Sequence, residues 1–239
     1  MEILEIQKVD LTSFCYLNKG RYPFLLESVN HNENNRYSIL FAFPGDNIVL
    51  KNFSDFDFLK ELQDKSKSTI LDSELPFIGG WFVYLSYELI GQIESTLASK
   101  LHKSTLPIAY AVQVPSAIIV DHKLDKTFII DQDNNQSRIN SILSDIKLLN
   151  KTPTQRIKGS QSEEVENKFI DGVKSSLDYI VAGDVFQVNL SRKWQYQLTE
   201  TTDSAIIYNA LKKANPAPFS ALIQYENFSI ISSSPERLF

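Results

Sequence analysis

Cysteine and histidine are scarce in this sequence: one cysteine, Cys15, and three histidines, His31, His102 and His122, in 239 residues. A lone thiol excludes an intramolecular disulfide, and no Cys/His spacing suits a zinc site, so the expected setting is a reducing, cytoplasmic one. Basic runs are missing as well. With 24 Lys and Arg against 29 Asp and Glu, the formal net charge is −5, whereas a general nucleic-acid binder would be basic; no nucleic-acid partner is expected. The longest apolar stretch, residues 77–91, falls short of the roughly 20 residues that span a bilayer and contains Glu88. The opening MEILEIQKVD places acidic residues where a signal peptide needs a basic and then an apolar segment. No membrane partner is expected, and no internal repeat or low-complexity segment is present.

What is abundant is apolar and aromatic. Hydrophobic residues make up 43%, with 15 Phe and 10 Tyr, enough for a packed interior in one large or two ordinary domains. The stretch around which the chain is organised is 165–194. Val165, Phe169, Val173, Leu177 and Ile180 recur at helical spacing, which predicts a helix with a buried face, and Gly183 follows as a left-handed terminator. From Val185 the period becomes two, with Phe186, Val188 and Leu190 opposite Gln187, Asn189 and Ser191. That alternation predicts a strand whose amide and hydroxyl face points into the protein, where it binds something or forms an ordinary polar face.

Elsewhere, strands are expected near 23–28, 37–43 and 47–51, interrupted by turn-forming HNENN (31–35) and PGDN (44–47). A helix over 53–65 follows, capped by Ser54 or Asp55. Gly79-Gly80 precedes an aromatic run and suits either a close approach or a bulge. Residues 115–131 read as a hairpin and 140–149 as a helix. KTPTQRIKGSQ (151–161) has the composition of an exposed connection, which divides the chain into 1–150 and 160–239. A helix over 202–214 with Asp203 at its cap, then a hairpin of 219–225 and 228–232, lead into SSSPERLF. That ending resembles the middle of a domain, so a truncated chain is expected.

LLES (25–28) with RYS (36–38), LPFIGG (75–80), AGDVFQVNLS (182–191), NPAPFSA (215–221) and SSSPERLF (232–239) together resemble the first part of a chorismate-utilising enzyme. Ala217-Pro218-Phe219-Ser220 and Ser234-Pro235-Glu236-Arg237 look like the aminodeoxychorismate (para-aminobenzoate) synthase component I branch, with anthranilate synthase component I the near relative. The resemblance implies an α+β fold, an antiparallel β-sandwich flanked by helices. It also implies amination of chorismate at C4 in folate biosynthesis, with ammonia from a glutaminase subunit. Mg²⁺, its glutamate ligands and a nucleophilic lysine are expected in a carboxy-terminal part not contained in this sequence.

In that reaction the C4 hydroxyl needs a proton to leave, and the resemblance assigns Glu236 as the acid. Spacing alone offers another reading, a helix start with Ser233 as cap and Glu236 three residues on. The resemblance further implies an amino-acid pocket for tryptophan from Ser28, Tyr37, Ser38, Pro218, Phe219 and Ser220. Serine hydroxyls and strand-edge groups would hold the charged ends while Pro218 and Phe219 pack on the indole; the same residues also suit ordinary core and turn positions. The alternatives in function are anthranilate formation, or a non-catalytic module that keeps the pocket and does no chemistry. The 239-residue chain by itself is expected not to turn over chorismate.

Overall fold

The structure, a computed structural model, describes residues 1–30, 35–66, 73–100 and 105–237. In chain order it forms β1 (Glu2–Ile6), α1 (Leu11–Leu17), β2 (Phe24–Glu27), β3 (Tyr37–Ala42), β4 (Asn47–Leu50) and α2 (Phe58–Lys65). There follow β5 (Gly80–Leu85), the short α3 (Ile90–Ile93), β6 (Ala109–Val114), β7 (Ser116–Asp121), β8 (Lys126–Asp131) and α4 (Gln136–Leu148). The remainder is β9 (Gly159–Glu163), α5 (Glu166–Ala182), β10 (Trp194–Leu198), α6 (Ser204–Ala214), β11 (Phe219–Tyr225) and β12 (Phe228–Ser234). These residues divide into two compact units, 1–154 with 203–239, and 155–202.

The first unit is built on a seven-stranded sheet ordered β1-β8-β7-β3-β2-β11-β12, antiparallel at every neighbouring pair. On one face lie α1, α4 and α6, which bury Phe14, Ile142 and Tyr208 against Leu25, Leu40, Ile118 and Leu222. The other face meets a three-stranded sheet, β4-β6-β5, through Phe24 and Phe41 against Phe82, Tyr110 and Val112. The rings of Phe24 and Phe82 stack at 4.1 Å with 1° between their planes. Because both faces are covered, β7 is buried at all six positions, which accounts for its unbroken apolar run where a half-exposed strand would alternate.

Caps set the helix starts. Asp10, Asp57, Asn135 and Asp203 each accept a main-chain N–H of the first turn, satisfying donors that have no partner within the helix. Asp131, wholly buried, joins β8 to α4. It accepts from Ser116 Oγ, Arg138 Nε and the Asn135 N–H at 2.7, 2.6 and 2.8 Å. Burial alone would raise its pKa, but these bonds and the Arg138 charge outweigh it and hold the carboxyl near 2.

In the second unit, α5 ends as its sequence predicts. Gly183 takes φ +81°, its N–H donates to Ile180 O at 3.1 Å, and the Asp184 N–H donates to Tyr179 O at 3.0 Å. This is the Schellman arrangement that only a left-handed residue closes comfortably.

Several expectations are corrected. No residue of α5 is buried, although its apolar spacing predicts a buried face, because its unit holds only one helix and the two-stranded ribbon β9/β10, too little to enclose a stripe. Residues 185–191 form no strand, and Gln187, Asn189 and Ser191 are exposed. The ribbon pairs Trp194–Leu198 with Gly159–Glu163, which leaves 185–191 without the ladder partner that a strand requires.

The division of the chain also differs from one between 1–150 and 160–239. Residues 203–239 belong with the first unit, since β11 pairs with β2 from Ser220–Glu27 to Ile223–Phe24. The connection 151–161 contains a buried Thr152, 3.3 Å from Ser13 Oγ, and the start of β9. The helix expected from residue 53 begins at Phe58 under Asp57, because Asp55 is occupied in accepting from the Asn52 N–H. Most of the turn HNENN lies outside the described residues, as do Leu238 and Phe239.

Candidate functional site

Three strand ends converge at one edge of the large sheet: β2 finishes at Glu27, β3 starts at Tyr37 and β11 starts at Phe219. Between them is a cavity of about 280 Å³ lined by Leu26, Glu27, Ser28, Asn35, Arg36, Tyr37, Pro218, Phe219, Ser220 and Ala221. This sits at the small end of the ~300–1,000 Å³ usual for small-molecule pockets. Ser28, Tyr37, Pro218, Phe219 and Ser220 are thus brought together across about 180 residues of chain. Ser38 lies behind them, buried, with Oγ accepting the Ser28 N–H at 3.0 Å.

The local sequence explains the geometry. The β2–β3 ladder ends at the pair Leu26–Ile39, so beyond it the chain needs other ties. Ser28 Oγ donates to Tyr37 O at 2.9 Å, Ser220 Oγ donates to Ala217 O at 3.2 Å, and the Val29 N–H donates to the same carbonyl at 3.0 Å. The hydroxyl protons of Ser28 and Ser220 are therefore committed to main-chain carbonyls, and what Ser220 offers a ligand is oxygen lone pairs, suited to an ammonium group.

The aromatic walls are braced by cations. Arg36 lies 4.7 Å over the Tyr37 ring and Arg237 lies 5.7 Å over the Phe219 ring. Arg36 is itself clamped by buried Asp121, Nε to Oδ1 at 2.9 Å and Nη2 to Oδ2 at 2.5 Å. The Arg36 bond leads, with the Lys123 and Leu124 N–H groups, in lowering the Asp121 carboxyl against its burial. Burial pushes the Tyr37 phenol up, and its hydroxyl donates to Glu74 O at 3.2 Å. Glu27 accepts from Tyr208 Oη at 2.7 Å and pairs with Lys212 Nζ at 3.1 Å.

Glu236 is exposed and is not among the lining residues. Its N–H donates to Ser234 Oγ at 3.4 Å, and that hydroxyl donates back to Glu236 O at 3.0 Å. No helix begins at 233–237: Ser233 lies within β12 and its hydroxyl donates to Asn215 O, which removes it as a helix cap. Among the described residues no group of three or more His, Cys, Asp or Glu converges as a metal site. No helix is long and apolar enough to cross a membrane among the same residues.

Sequence reasoning did not single out Arg36, Asn35 or Glu27 as lining residues. Arg36 and Glu27 adjoin residues that it did select, and that adjacency was the only signal available.

Comparison with known proteins gives a consistent picture. The profile of the chorismate binding enzyme family matches residues 21–239. The chain is 26% identical over 245 residues to anthranilate synthase component 1 of Lactococcus lactis subsp. lactis, covering 92% of this chain and 53% of that protein. It is 28% identical over 187 residues to aminodeoxychorismate synthase component 1 of Bacillus subtilis, covering 73% of this chain and 39% of that one. The fold is similar to the crystal structure of anthranilate synthase component I from Streptococcus pneumoniae, with TM-score 0.69 and 23% identity over 86% of this chain and 52% of that one. The chain therefore spans about half the length of the curated relatives that it matches.

Proposed function

The chain belongs to the chorismate binding enzyme family, and from that premise we propose that it works within an aminodeoxychorismate synthase component I, a transferase aminating chorismate at C4 toward para-aminobenzoate and folate. The observation that carries this reading is the convergence of Ser28 and Tyr37 with Pro218, Phe219 and Ser220 at one cavity, since the Ala-Pro-Phe-Ser segment is the part resembling that branch. Ammonia comes from a glutaminase subunit, a pairing supported by relatives named as component 1.

In this reading Glu236 is the acid that protonates the departing C4 hydroxyl, and Arg237 on Phe219 ties its segment to the cavity wall. Mg²⁺ is assigned no ligand among the described residues, and no step is routed through it. The cavity holds tryptophan, with Pro218 and Phe219 against the indole and the Ser220 oxygen toward the ammonium.

A second reading, anthranilate synthase component I, is favoured by the relatives of that name, including those in Lactococcus lactis and Thermus thermophilus. Product identity separates the two. The full-length protein incubated with chorismate, ammonium and Mg²⁺ should give an amino product that keeps its enolpyruvyl ether. Release of pyruvate with fluorescent anthranilate would assign the second reading instead.

A further inference from the structure

We draw no further inference here: the strongest candidate, the exposed apolar stripe of Phe169, Val173, Leu177 and Ile180 along α5 in the second unit, carries nothing because nothing in the structure shows what covers it.

Discussion

Tyr208 Oη donates to Glu27 Oε2 at 2.7 Å across 181 residues of sequence. Lys212, one turn further along α6, adds its Nζ to the same carboxylate at 3.1 Å and donates to Thr12 Oγ1 of α1 at 2.6 Å. The end of β2 is thereby held by α6, which Lys212 ties to α1, through a Glu27 carboxylate beside the cavity that Glu27 and its neighbour Ser28 both line. Burial is the first cause, and the Glu27 charge the next, of a Tyr208 phenol pushed far up, so it remains a donor throughout the physiological range.

Tyr208→Phe should therefore lower stability by about 1–2 kcal/mol, read as a shift in the urea midpoint. Lys212 should keep Glu27 in place, so tryptophan affinity should change little. A large loss of binding with unchanged stability would mean that Glu27 contacts the ligand directly.

Asp131 gives a pH dependence with a defined sign. Its folded pKa of about 2 lies below the unfolded value of about 3.9. The carboxylate thus contributes stability that is fully present above pH ~4 and is lost as pH falls toward ~2, worth about 2 kcal/mol. In Asp131→Asn that part of the acid denaturation curve should flatten. An unchanged slope between those limits would show that other carboxylates carry it.

Gly79 sits at φ +112° with the Gln132 side chain in the space that a Cβ there would fill. Gly79→Ala should cost about 1–3 kcal/mol in thermal unfolding. Of the two roles open for this glycine pair, close approach and bulge, the contact with Gln132 supports the first. Wild-type stability in the variant would mean that the chain shifts freely there.

What the sequence made legible was local. The 115–131 hairpin, the Asp203 cap and the Gly183 terminator each depend on neighbours within a few residues, and each is present. What it hid was the choice of partner. The alternation of 185–191 is genuine, yet among the described residues no strand pairs with it, and nothing in a single strand's spacing states whether a partner exists. The strand Ala109–Val114 and the opening β1 and α1 passed unread because their apolar residues carry no turn signal or motif to mark them. At the site, motif resemblance selected Ser28, Tyr37 and Phe219, residues that do share a cavity. His122 and Ser38 are 84 residues apart, and their pairing is set by the antiparallel register of β3 and β7, which neither segment reveals alone.

The central claim is that this chain supplies the acid for C4 amination of chorismate, and steady-state kinetics of the Glu236→Gln variant in the full-length protein test it most directly. The predicted result is turnover lowered at least about a hundredfold with KM within a few-fold, the signature of a group acting mainly in the transition state. Near-normal turnover in that variant, or turnover of chorismate by residues 1–239 alone, would contradict it.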